Sequence, residues 1–334
     1  MPHEYLKLPK YNNMLWSNLL PLRAVFVLVH LSMFSACKQN PAPSTPTPKC
    51  KAIPGTRSWP PEASWARLNE STGGRLLQPA PPGAVCHSGQ PTFDAAKCTA
   101  VNASWTQYEF HARDPVSVDW NQWTNDSCLP WDGYPCSREG YPVLVVNASA
   151  PAHVKAAVDF ARVNNVRLVV KSSGHDYIGR SSAPYALSVW THHLRGTPKS
   201  HTSFRPQNCK VEINSTAVTV GAGTPMEELY AFLDTLNQTT IGGGGKTVSL
   251  GGYLSGGGHG LLSPTHGLAA DQVLEMEVVT PTGKIVTANE CTNPDLFFAM
   301  RGVCFPPDPP YTLLPLTLLL NPRAAAQPSV SSPQ

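Results

Sequence analysis

His175 stands at the tip of Ser172-Ser173-Gly174-His175-Asp176-Tyr177, directly after the apolar run Leu168-Val169-Val170. A β-branched run of this kind reads as a buried strand, and the Ser, Gly and Asp that follow favour a tight polar turn. An imidazole in such a loop could act as a base, a metal ligand or a covalent anchor for a cofactor, or it could only hydrogen-bond its own loop. Successive backbone N–H groups there can form a concave nest for an anion, and Gly174 admits a ligand close to the backbone.

A second stretch bears on that choice. Residues 242–260, GGGGKTVSLGGYLSGGGHG, hold ten glycines. Glycine is entropically costly to order, so this density reads as backbone packed against something flat or phosphorylated, too glycine-rich for a helix or an ordinary strand. Two phosphate motifs fail here. A nucleotide-triphosphate loop ending in Gly245-Lys246-Thr247 needs glycine where Thr240 stands. The dinucleotide fingerprint needs a strand-Gly-helix unit, and no helical pattern follows Gly260.

The elements around both stretches follow from periodicity. Val143 to Val146 reads as a strand, and Pro151 opens a helix with Val154, Ala157, Val158 and Ala161 on one face. Asn164-Asn165 stops it and Arg167 begins the next strand, a βαβ unit with His175 at its carboxyl end, where open α/β sheets place ligands. Ala217 to Gly221 reads as a further strand. Thr224, Pro225 and Glu227 then read as N-cap, first-turn proline and capping-box acid for a helix with Met226, Leu229, Tyr230 and Leu233 inward. Val273 to Thr280 and Lys284 to Thr287 flank Pro281-Thr282-Gly283 as a hairpin, and Asn293-Pro294 caps a last helix.

The 334 residues carry a net charge of +3, with 41% hydrophobic and 14% charged side chains, a globular composition that gives no footing for nucleic-acid binding. An apolar run, Ala24 to Phe34, with basic residues upstream and Ser35-Ala36 after it, resembles a secretory signal; a signal anchor is the alternative, and the run is too short for a stable membrane span. Six glycosylation sequons, at Asn69, Asn102, Asn125, Asn147, Asn214 and Asn237, accord with export and N-glycans. Of nine cysteines, Cys86, Cys98, Cys128 and Cys136 cluster upstream and read as disulfides; Cys304 is the candidate odd one. The histidines lack zinc spacing, so no metal site is expected. The aromatics Trp105, Trp120, Trp123 and Trp131 read as core packing ahead of carbohydrate stacking.

Three ordered segments, residues 141–182, 247–289 and 293–302, resemble the flavin-binding domain of the vanillyl-alcohol-oxidase, or PCMH, superfamily, in particular its secreted berberine-bridge-enzyme-like oxidases. The resemblance implies an α+β fold, a PCMH-type FAD-binding domain of two α/β subdomains over residues 139–302. Before it come a signal or anchor (1–37), a Pro-rich linker (38–58) and a Cys/Trp-rich irregular lead-in (59–138). It implies FAD, bound covalently through the histidine of the GHDY motif, here His175. Lys171, Ser172, Ser173, Gly174, His175 and Asp176 would offer backbone donors to the pyrophosphate, with Tyr177 and Gly179 shaping the turn. Thr247, Gly251, Gly252, Gly256, Gly257, Gly258, His259 and Gly260 would line the other side; for His259 a loop histidine bonded to backbone is the equal alternative. Some relatives add a cysteinyl bond at the position of Gly245, so attachment here is expected to be single.

The resemblance ends at Gly302, and residues 303–334 read as an aberrant Pro-rich tail in place of the family's next strand and substrate domain, which holds the catalytic base. The expected chemistry is hydride transfer from an alcohol, sugar or specialised metabolite to flavin and then to dioxygen. A non-catalytic flavin-binding fragment and, on the Pro/Thr linker alone, a wall-associated structural protein are the alternatives.

Overall fold

A computed structural model describes residues 50–302, 314–320 and 323–324. The expected signal, the Pro-rich linker to Lys49, and Cys304 lie outside the described residues.

The helix expected after Pro151 is α4 below (Pro151–Val163), and it buries the four residues that the 3.6-residue period selects, Val154, Ala157, Val158 and Ala161. It packs on a four-stranded sheet made of β1 (Leu76–Leu77), β2 (Leu144–Asn147), β3 (Leu168–Lys171) and β4 (Leu187–Trp190), in the order β1-β2-β4-β3. Strands β2 and β3 both run parallel to β4, which lies between them. The βαβ unit therefore crosses over a strand that periodicity did not single out. Asn147, Trp190 and Lys171 end level with one another at the carboxyl edge.

The lead-in is more ordered than its sequence suggests. It contains α1 (Glu62–Ser71), α2 (Ala95–Ser104) and α3 (Tyr108–Arg113), with Cys86–Cys98 and Cys128–Cys136 paired as disulfides. Trp65 and Leu68 of α1 join the core under α4, the Trp65 and Phe160 rings lying 4.4 Å apart between centroids. Trp105 is buried in core, whereas Trp123 and Trp131 are partly exposed. Few apolar repeats announce these helices because disulfides and aromatic contacts hold them in place of a long amphipathic stripe.

The second sheet is antiparallel, with β5 (Lys199–His201), β6 (Ala217–Gly221), β8 (Val273–Val279), β9 (Ile285–Ala288) and β10 (Leu314–Leu320) in the order β5-β6-β10-β8-β9, while β7 (Gln238–Thr239) pairs separately with β11 (Arg323–Ala324). The hairpin at Pro281-Thr282-Gly283 joins β8 to β9. Helices α5 (Met226–Asp234), α6 (Leu250–Ser255) and α8 (Pro294–Ala299) cover this sheet, burying Met226, Leu229, Leu233, Leu250, Leu254 and Phe297. Each such side chain contributes roughly 1.5–3 kcal/mol by leaving water.

Three expectations are corrected. Thr224 is not the cap of α5: Pro225 is, and the Met226 and Glu227 N–H groups donate to the Val248 and Lys246 carbonyls, so the glycine-rich segment caps the helix that local chemistry assigned to Thr224. The glycine-rich stretch does form a helix, α6, and the single turn α7 (Ser263–His266) follows Gly260. Leu250 and Leu254, anchored in the core, outweigh the propensity cost of Gly251 and Gly252. Within the tail, Leu314–Leu320 is the middle strand of the second sheet, paired on both sides despite Pro315, where the register shifts. No helix of the described residues is long and apolar enough to cross a membrane.

Candidate functional site

The loop after β3 and the start of the glycine-rich segment meet at one point. His175 Nε2 lies 2.6 Å from Thr247 Oγ1, and its Nδ1 lies 3.0 Å from Asp119 Oδ2. The imidazole is half-buried and Thr247 is buried. Tyr108 of the lead-in stacks obliquely on the ring, 5.0 Å between centroids.

The lead-in also fixes the loop backbone. The Trp120 and Trp123 indoles donate to the His175 and Tyr177 carbonyls at 3.3 and 3.1 Å, and the Asp119 N–H donates to Gly174 O at 3.2 Å. Gly174 and Gly179 take φ of +95° and +85°, and a Cβ on Gly179 would fall 2.3 Å from the Trp123 ring, so only glycine fits beneath that indole. Arg180 pairs with Asp176 at 2.5 Å and closes the turn. The Tyr177 side chain points outward and is exposed.

Electrostatics at the junction are dominated by burial. Lys171 is fully buried, donates to the His111 and Asp114 carbonyls at 3.0 and 2.8 Å, and has its pKa pushed down to about 8 by desolvation, against the opposing carboxylates of Asp114 and Asp119. Its side chain thus ties the lead-in to β3 and does not face a ligand. Burial, with the Lys171 and His111 charges, holds His175 down at about 4, with Glu109 opposing. Asp119 is pushed up to about 7 by burial, with Lys171 opposing. Around neutrality the imidazole is therefore neutral.

On the opposite wall, the Gly251 N–H donates to Ala222 O at 2.8 Å, so the first turn of α6 is bonded to the end of β6. Gly257 and Gly258 have φ of +92° and +73°, and a Cβ on Gly260 would lie 2.3 Å from Gly242 O. Gly252 and Gly256 are exposed; nothing lies within 4 Å of a Cβ on Gly252, which leaves an open, bare backbone face. His259 is exposed, and its backbone carbonyl accepts from Tyr253 Oη at 2.6 Å. Tyr253 itself is pushed up to about 12, by burial first and then by Tyr230. Among the described residues no cluster of His, Cys, Asp and Glu is suited to a metal ion.

These residues fit FAD. Ser172 and Ser249 carry buried hydroxyls with no hydrogen-bond partner among the described residues, one on each motif, and the bare glycine backbone of α6 leaves room for close approach. A diphosphate-bearing ligand would satisfy such hydroxyls and backbone N–H groups, while a neutral His175 would face its ring end. The site residue that sequence reasoning missed is Asp119, on the lead-in; no local motif marks it, and only the fold brings it to His175.

The comparisons agree with this geometry. Residues 142–289 match the FAD binding domain family. The chain is 38% identical over 263 residues to the VAO-type flavoprotein oxidase VAO615 of Thermothelomyces thermophilus, covering 77% of this chain and 45% of that protein. It is 34% identical over 292 residues to the FAD-linked oxidoreductase patO of Aspergillus clavatus, covering 86% and 48%. Among solved structures, the VAO-type flavoprotein MtVAO615 of Myceliophthora thermophila superposes with a TM-score of 0.75 at 35% identity, over 82% of this chain and 50% of that one. MtVAO713 superposes at 0.74 and 32%, over 83% and 49%. The chain spans about half the length of the curated relatives it matches. By its matched domain and its fold, this chain carries an FAD-binding domain of the VAO type.

Proposed function

We propose that the protein is an exported FAD-dependent oxidase in which His175 holds the flavin covalently. The observation that carries this reading is the His175–Thr247 contact at 2.6 Å, which joins the two motifs around a neutral, half-buried imidazole. Bound FAD would supply the redox chemistry, accepting hydride from an alcohol, sugar or specialised metabolite and passing electrons to dioxygen. The chain's own residues bind and orient: Ser172, Ser249 and the backbone of 172–176 would hold the diphosphate, Gly251, Gly252 and Gly256–Gly258 would admit the ring system, and Thr247 keeps the His175 imidazole in place.

Attachment is single. Gly245 has no side chain for a thioether, and Cys209 and Cys291 are joined to each other. The three disulfides among the described residues accord with an oxidising compartment. Asn102, Asn125, Asn214 and Asn237 are the exposed sequons open to N-glycans, whereas the Asn69 and Asn147 side chains are half-buried and accept from Leu76 N–H and pair with His193. Flavin binding without turnover is the second reading. Proteolysis and mass spectrometry of the purified yellow protein test the attachment: one flavinylated peptide containing His175 is expected, and an adduct on any cysteine would refute it. Bleaching of the flavin by an alcohol or sugar under anaerobic conditions separates oxidase from inert binder.

A further inference from the structure

The sequon Asn69-Glu70-Ser71 ends α1, and its asparagine also lines a groove of about 580 Å³ between the lead-in and the first sheet. The floor is apolar. The Trp59 and Trp65 rings, 5.2 Å apart between centroids, continue into Leu76 of β1 and Leu144 of β2. The Trp65 indole N–H is spent on Pro60 O at 3.1 Å, so that ring offers the groove only its carbon surface. The exposed side chains of Glu62 and Gln78 add polar groups to the lining. A concave apolar surface of this size with a few polar groups is the ordinary make-up of a small-ligand site. It lies apart from the flavin site, since β1 and β3 are opposite edges of the sheet and β3 carries the His175 loop.

Asn69 is held so that it can bear a substituent. Leu76 N–H donates to Asn69 Oδ1 at 3.0 Å, which turns the amide oxygen toward β1. The amide nitrogen takes no hydrogen bond among the described residues and is not sealed from water. An N-glycan is linked through that nitrogen and leaves the carbonyl oxygen in place, so the bond from Leu76 survives modification. The half-burial of Asn69 thus belongs to its inner oxygen, while its nitrogen is left to the groove.

We propose that Asn69 carries an N-glycan whose first sugar residues lie in this groove against Trp59. Their C–H faces and acetamido methyl groups would cover the indole, and their hydroxyls would meet Glu62 and Gln78. Linkage at the wall of the groove makes the contact intramolecular, so weak stacking suffices to fill it. The sugar then shields apolar surface at the seam where α1 meets β1 and β2. This assignment rests on the export proposed above, because such sequons are modified in secreted chains.

The test uses the full-length protein secreted from a yeast that adds N-glycans. Trypsin separates residues 58–67, which hold Trp59, from 68–75, which hold Asn69, so the two are read independently. Glycopeptide mass spectrometry should find Asn69 occupied. In the folded protein, N-bromosuccinimide should oxidise Trp59 several-fold more slowly than in Ser71→Ala, which abolishes the sequon and keeps the Asn69 bond to Leu76. Asn69 bare while Asn102, Asn125, Asn214 and Asn237 carry glycans would overturn the proposal and leave export standing; all six sequons bare would overturn both. An Asn69 glycan with Trp59 oxidised at the Ser71→Ala rate would overturn the groove as its seat. Should Ser71→Ala fail to fold, enzymatic removal of the glycan from folded wild type decides: Trp59 oxidation should rise several-fold, and an unchanged rate would overturn the proposal.

Discussion

His175 and Thr247, 72 residues apart in sequence, meet ring nitrogen to hydroxyl at 2.6 Å and join the strand-end loop to the glycine-rich wall. That contact turns two separate motifs into one site. Thr247→Val removes the hydroxyl and keeps the shape, so the rate at which flavin becomes attached should fall about fivefold to tenfold, the worth of one hydrogen bond, and Thr247→Ser should restore most of it. The time course of flavin incorporation into acid-precipitable protein reads this out; an unchanged rate in the valine variant would detach Thr247 from the site.

Gly179 is held at φ +85° beneath Trp123, where a Cβ would lie 2.3 Å from the indole. Gly179→Ala should cost on the order of 2–4 kcal/mol, the left-handed backbone adding to the clash. Gly55 has φ +80° with nothing within 4 Å, so Gly55→Ala should cost only about 1 kcal/mol. Urea unfolding of the two variants compares them, and equal losses would remove the role assigned to the indole.

The βαβ unit was legible because Val154, Ala157, Val158 and Ala161 recur at helical spacing before a β-branched run, and the β8–β9 hairpin because Pro281-Thr282-Gly283 is a local turn signal. Strand β4 was not: its place between β2 and β3 is decided by tertiary pairing, which leaves no periodic mark in Leu187–Trp190. Thr224 misled because a good local cap lost to two carbonyls from a distant segment. The site was half legible. Glycines and His175 announce themselves by type and spacing, whereas Asp119, Trp120 and Trp123 belong to it only through the fold, their sequence resembling any aromatic loop.

Among the described residues Cys209–Cys291 closes the longest disulfide loop, with a sequence separation of 82, and bridges the chain before β6 to the chain after β9. Replacing both by serine should cost about 4 kcal/mol on loop entropy, against about 2.5 kcal/mol for Cys128–Cys136, whose separation is 8. Thermal unfolding of the two double variants should rank them in that order; the reverse order would contradict the loop-entropy argument.

Asp119 gives stability a pH dependence whose sign is fixed. Its folded pKa of about 7 stands above the ordinary 3.8, so the folded state holds the extra proton in that window and stability falls as pH rises through it. His175, lowered from 6.5 to about 4, acts oppositely: stability falls as pH drops through that range. Asp119→Asn removes the first contribution alone, so its stability relative to wild type should grow by on the order of 4 kcal/mol between pH 4 and 7 and then level off. Denaturant midpoints at several pH values measure this, and parallel profiles would contradict the burial of an ionisable Asp119.

The central claim is that His175 holds FAD, and acid precipitation of the full-length protein tests it most directly. Wild-type protein should carry its yellow colour into the pellet, while His175→Ala, folded by circular dichroism, should release its flavin into the supernatant. Flavin that stays with the pellet in His175→Ala, or that leaves it in the wild type, would contradict the assignment.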